Sequence, residues 1–145
     1  MPSVQDILTS KGSLVHTVSP SATVLDAIHL MNERRIGALV VTAADRILGI
    51  FTERDVLRRV VGKELAPSAV TVQQVMTTEV LCCPPETDLD DAARIMRDRR
   101  IRHLPVATKD GQLLGLVSIG DINAQYASAQ EAQIQFLRDY VFGRA

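Results

Sequence analysis

The chain has 145 residues, 46% of them hydrophobic, enough for one compact domain or two small repeats with a real core. Lys and Arg total 16 against 17 Asp and Glu, a net charge of −1, which excludes a nucleic-acid binder held by bulk charge. No apolar run approaches a membrane span, and Met1-Pro2-Ser3-Val4-Gln5-Asp6 lacks the basic, apolar pattern of a signal peptide, so a soluble, cytoplasmic protein is expected.

With 3% aromatic residues, the core must be aliphatic. Cys82 and Cys83 are adjacent; a disulfide between neighbours is strained, so free thiols in a reducing compartment are expected. In chain order, a short helical turn is predicted over 4–9 and a strand over Leu14-Val15-His16-Thr17-Val18, ended by Pro20. Thr23 with Asp26 caps the next helix, whose Val24, Ala27, Ile28 and Met31 share one face. Arg34-Arg35 close it, where cations favour the dipole. Residues 38–42 and 47–51 read as a hairpin around Ala44-Asp45.

Next comes Gly49-Ile50-Phe51-Thr52-Glu53-Arg54-Asp55. It reads as a strand ending on Phe51 and a helix starting at Thr52, with Asp55 at capping-box spacing. Val56, Leu57, Val60 and Val61 continue at helical spacing. A helix N-terminus offers unpaired N–H groups and partial positive charge to a phosphate, and a carboxylate one turn in can accept hydrogen bonds from a ribose diol. The plainer reading is that Thr52 and Asp55 only cap the helix.

The chain then repeats itself. Residues 62–70, with Pro67 and Ser68, form the join. Arg34-Arg35-Ile36 recurs as Arg99-Arg100-Ile101, and Pro20, Asp26, Ala27, Met31 and Leu39 meet Pro85, Asp91, Ala92, Met96 and Leu104 at the same offset of 65. Gly115-Leu116-Val117-Ser118-Ile119-Gly120-Asp121 repeats the motif at offset 66. Val4-Gln5-Asp6-Ile7-Leu8 parallels Val72-Gln73-Gln74-Val75-Met76 at offset 68, so the first copy is three residues longer ahead of its first strand. The second copy predicts a helical turn over 72–77 and a strand over Val80-Leu81-Cys82-Cys83, ended by Pro84-Pro85. A helix capped by Asp88 with Asp91 follows, burying Leu89, Ala92, Ala93 and Met96, then a hairpin over 104–107 and 113–117 around Asp110-Gly111.

The expected fold is mixed α/β (α+β). Two pseudo-symmetric β-α-β-β-α repeats, residues 1–66 and 67–127, pack through their sheets because neither sheet can bury both faces alone. Residues 128–145 are expected as a docking helix, on its own chain or on a second subunit. Ile134, Leu137 and Val141 share a face there, and Phe136, Tyr140 and Phe142 are three of the five aromatics.

The paired repeats, with Ile36-Gly37-Ala38-Leu39-Val40-Val41, Ile101-Arg102-His103-Leu104-Pro105-Val106 and the two glycine-led motifs, resemble a tandem CBS-domain protein, a Bateman module, of the small stand-alone bacterial type. The resemblance covers about 4–127. It implies two clefts between repeats, each able to hold an adenosine ligand such as AMP, ADP, ATP, S-adenosylmethionine or NAD(H). Carried over by resemblance, one cleft holds Ile50, Thr52, Arg54, Asp55, Thr78, Val80, Ile101, Arg102 and His103. The other holds Ser10, Leu14, Ile36, Gly37, Leu116, Ser118, Gly120 and Asp121. Because Gly120 stands where the first motif has Arg54, the clefts should differ in phosphate affinity. The family also implies a homodimer and an unidentified regulated protein, with no membrane or nucleic-acid partner.

No catalytic set, P-loop or dinucleotide glycine motif is present, so no enzyme and no catalytic cofactor are expected. His16 and His29 have no metal-ligand spacing. Arg35, Arg58 and Arg59 are expected as solvated helix surface. Two alternatives stand beside the nucleotide sensor: a partner-docking module with empty clefts, and a thiol or metal sensor using Cys82-Cys83.

Overall fold

The computed structural model describes residues 2–12 and 14–141. Its elements follow local chemistry closely. Helix α1 (Val4–Lys11) starts at a Ser3–Asp6 capping box and ends at Gly12, whose φ of 91° suits glycine. After β1 (Thr17–Val18), α2 (Val24–Arg34) is capped by Thr23 Oγ1, which accepts from the Asp26 N–H. Arg35 closes α2 in the left-handed region, and the Ile36 N–H returns to the Met31 carbonyl, a Schellman-type end. Strands β2 (Ala38–Ala43) and β3 (Arg46–Thr52) meet at Ala44-Asp45, both at positive φ, as a two-residue hairpin turn requires. Helix α3 (Glu53–Asp55) runs on as a π-helical stretch, Val56–Val61.

The second repeat supplies α4 (Val72–Val75), α5 (Leu89–Arg99), β4 (His103–Ala107), β5 (Leu113–Ser118) and α6 (Ile119–Val141). Arg100 ends α5 as Arg35 ends α2, in the left-handed region, with the Ile101 N–H on the Met96 carbonyl. The strand expected over 80–83 is not formed. Only Cys83 bridges Val106, at the position where Val18 pairs with Val41 in the first repeat. Pro84 and Pro85, which have no N–H to donate, stop the ladder past Cys83. The sheets are therefore unequal: β1-β2-β3 with β1 parallel to β2, and the antiparallel pair β4-β5. The strand expected over 14–18 is likewise confined to its last two residues.

The leading helices are exchanged between the repeats. Val4, Ile7 and Leu8 of α1 pack with Leu89, Met96, Leu104, Val117 and Ile122 of the second repeat. Val72, Val75 and Met76 pack with Val24, Met31, Leu39, Phe51 and Val60 of the first. Backbone bonds tie each exchange: the Val4 N–H donates to the Thr87 carbonyl and the Leu89 N–H to that of Pro2, as the Val72 N–H does to Ala22 and the Val24 N–H to Val70. Glycine makes the approach possible. A Cβ on Gly115 would stand 2.5 Å from Leu8 Cδ2, and one on Gly49 would stand 2.7 Å from the Thr77 carbonyl oxygen.

The tail does not form a separate helix; it continues α6 without a break from the motif itself. Ile122 is buried and Tyr126 bonds Asp90, but Ile134, Phe136, Leu137, Tyr140 and Val141 are exposed, so among the described residues this stretch packs on no other element. Phe142 and the rest of 142–145 lie outside the described residues. Among the described residues no helix is long and apolar enough to cross a membrane.

Candidate functional site

Both motifs build the same cap. Ser118 Oγ accepts from the Asp121 N–H at 3.1 Å and Asp121 Oδ2 accepts from the Ser118 N–H at 2.8 Å. Thr52 and Asp55 repeat this at 3.3 and 3.0 Å. The surroundings of the two carboxylates then diverge.

Asp121 borders a cleft of about 270 Å³, near the small end for ligand pockets. One wall is the end of α1 and the segment after it, with Lys11, Leu14, Val15 and His16. Arg35, Ile36, Gly37 and Ala38 form another, and His103, Leu116, Ser118 and Asp121 the third. Leu14 is 81% exposed, an apolar face open to a base. Lys11 Nζ lies 2.7 Å from Asp121 Oδ2 and 2.9 Å from the Leu116 carbonyl oxygen. Burial pushes the Asp121 carboxyl up, but the Lys11 ammonium and the Ser118 N–H and hydroxyl outweigh it and hold the group below the usual carboxylate range. Its Oδ1 has no hydrogen-bond partner among the described residues, so a charged acceptor stays available to the cleft. His103 is pushed below the usual histidine range, by burial first and by Lys11 and Arg102, against the opposing pull of Glu53 and Asp121.

Asp55 is 5% exposed and its oxygens are consumed. Oδ2 accepts from the Thr52 N–H and hydroxyl, Oδ1 accepts from the Thr77 hydroxyl at 3.0 Å, and Arg59 Nε stands 3.7 Å from Oδ1. Ile50 and Thr77 exchange two backbone bonds, 3.0 and 2.9 Å. Arg59, expected as solvated surface, also donates to the Met76 carbonyl at 2.8 Å and so ties down the end of α4.

The residues assigned by resemblance therefore separate. Leu14, Ile36, Gly37, Leu116, Ser118 and Asp121 line one cleft; Ser10 and Gly120 stand outside it. His103, assigned to the other cleft, lines this one, because β4 starts beside the end of β5 (His103 pairs with Ser118). Arg54 turns to the Arg100 carbonyl at 2.6 Å. Thr78 and Arg102 are exposed, while Val80 and Ile101 are half-buried, Ile101 against the second core. Sequence reading missed Lys11, Val15, His16 and Arg35. The one available signal was the three-residue excess before the first strand, which lengthens α1 and carries Lys11 to the cleft.

Cys82 is exposed and Cys83 is buried in the second core; burial pushes both thiols up, against thiolate reactivity.

Two interleaved repeats, the first β-α-β-β-α and the second lacking a full first strand, with a cleft at their junction define a tandem-repeat module. The chain belongs to the CBS-domain family, whose pattern matches residues 4–62 and again 72–127. The CBS domain-containing protein YhcV of Bacillus subtilis is 33% identical over 132 residues, covering 91% of each chain. A solved CBS-domain structure from Burkholderia ambifaria, of a candidate signal-transduction protein, is 41% identical with a TM-score of 0.85, covering 89% of this chain and 96% of that one. The structure of CBSX2 in complex with AMP is 26% identical with a TM-score of 0.74, covering 90% and 99%.

Proposed function

We propose that the chain is a regulatory module, not an enzyme, that binds an adenine nucleotide (AMP, ADP, ATP or an NAD(H)-type ligand) in the cleft bordered by Ser118 and Asp121. The observation that carries this reading is the half-used Asp121 carboxylate beside the N-terminus of a long helix, in a cavity with an apolar wall and cationic side chains. The carboxylate suits ribose hydroxyls, the helix terminus suits phosphate, and Leu14 and Ile36 suit the base. The AMP complex of CBSX2 supports the ligand class. Around Asp55 the same motif is spent on capping and on holding Thr77, so one site per chain is proposed.

We further propose that residues 128–145 dock a second subunit in a soluble, cytoplasmic homodimer whose arrangement a regulated protein reads. The apolar residues of α6 from Ile134 to Val141 have no partner surface within the described chain. Light scattering on the full chain and on residues 1–127 checks this; a monomeric full chain overturns it.

Thermal melting against AMP, ADP, ATP, NAD, NADH and S-adenosylmethionine tests the ligand class. A ligand of the folded state at about 100 times its Kd stabilises by about 2.7 kcal/mol, a rise of several degrees. A flat response across the panel overturns the reading, and chromatography of the incubated nucleotide should show no turnover.

A further inference from the structure

The open cleft holds a cation from its leading helix, and the leading helix of the other repeat supplies none. Lys11 is the last residue of α1, and the equivalent position in the second repeat is Glu79. Its ammonium has three donors and spends two, on Asp121 Oδ2 and on the Leu116 carbonyl. Asp121 Oδ1 has no partner among the described residues, so a ribose hydroxyl can bond there without displacing Lys11. The ammonium then stays beside the bound nucleoside, 39% exposed, with its third donor open to an anion. Arg35 adds a second cation to the lining, and Asp121 is its sole carboxylate among the described residues.

We infer that Lys11 sets the charge selectivity of this cleft, making it choose a phosphorylated nucleoside over an uncharged one. This rests on the nucleotide reading above and assigns its phosphate preference to a residue outside the motif. Arg54 and the N-terminus of α6 are weaker phosphate readers on geometry. Arg54 is held on the Arg100 carbonyl, on the side of the molecule where Asp55 is closed in. The N-terminus of α6 already donates the Asp121 N–H to Ser118 Oγ.

The test is calorimetric titration of the full chain with AMP and with adenosine, for the parent, Lys11→Met, Lys11→Gln and Lys11→Arg. The parent should prefer AMP by about ten-fold or more, the size of one charge-assisted hydrogen bond. Lys11→Met and Lys11→Gln should bring the preference within about two-fold; Gln keeps a hydrogen-bonding group at the site without the charge. Lys11→Arg should retain most of the preference, and added salt should shrink it in the parent. Equal loss of both ligands in Met and Gln variants that melt like the parent would mean that Lys11 only holds the cleft walls, and would overturn the assignment. An unchanged preference would overturn it too. A parent that binds both ligands equally removes the Lys11 role alone; a parent that binds neither removes the nucleotide reading and this role with it.

Discussion

Asp55 and Asp121 occupy the same place in the same motif, with the same cap, yet one carboxylate is sealed and the other borders a cleft. The difference begins at the leading helices. Helix α4 stops at Val75, Met76 is extended, and Thr77 is free to pair with Ile50 and to reach Asp55. Helix α1 continues to Lys11, so Thr9, the counterpart of Thr77, stays helical. The Leu116 carbonyl is left for a lysine and not for a strand bridge. What a motif residue can do is thus set by its neighbours across the repeat junction, and those neighbours come from the exchanged helix.

The largest test removes the cause. Deleting residues 11–13 gives the first repeat the spacing of the second, so Thr9 can pair with Leu116 and close the cleft. Nucleotide affinity should fall about 100-fold or more by calorimetry. A deletion variant that folds and binds as before would break the comparison at its root.

The two carboxylates should then respond differently to the same change. Asp121→Asn should weaken nucleotide binding about ten-fold with little change in stability, since ribose bonds to a charged acceptor are lost. Asp55→Asn should leave affinity nearly unchanged and cost about 1–3 kcal/mol in urea unfolding, because a buried acceptor surrounded by donors loses its charge. Matching effects at both positions would show that the clefts are equivalent after all.

A smaller contrast lies at the glycines. Gly49→Ala meets the Thr77 carbonyl oxygen at 2.7 Å and Met76 Sδ at 2.8 Å, and backbone cannot give. For Gly115→Ala the nearest atoms are Leu8 side-chain carbons, which can turn. Denaturant unfolding should show about 2–3 kcal/mol lost for the first and about 1–2 for the second.

The smallest effect concerns pH. The folded chain holds His103 below its ordinary value, so the unfolded chain takes up the proton first as pH falls. Stability from this group is complete above about pH 6.5 and declines below it. His103→Gln should therefore lose less melting temperature than the parent between pH 7 and pH 5. An equal loss in both would remove His103 from the balance.

Much of this architecture was legible because it is local. The Ala44-Asp45 and Asp110-Gly111 turns, the Thr23 cap, the capping boxes of the two motifs and the apolar helix faces depend on neighbours within a few residues. The missed features depend on distant ones. Nothing near Cys82-Cys83 says that the strand there shrinks to one bridge, and nothing within Thr52–Asp55 says that Thr77 will consume the carboxylate. Lys11 enters the cleft only because α1 crosses to the other repeat. The tail's exposure likewise reflects where the second core ends, at Ile122 and Tyr126, rather than anything in its own periodicity.

The unbroken run of α6 has a mechanical consequence. The helix carries Asp121 near one end and Val141 at the other, 20 residues apart, or roughly 30 Å along its axis. Past Tyr126 it leaves the core, so its outer part is a lever whose fulcrum lies next to the cleft. A tilt of about 5° at Tyr126 sweeps the tip by roughly 2 Å over the outer arm of about 22 Å. An adjustment too small to disturb the packing around Ile122 becomes, at Tyr140, a displacement longer than a carbon–carbon bond.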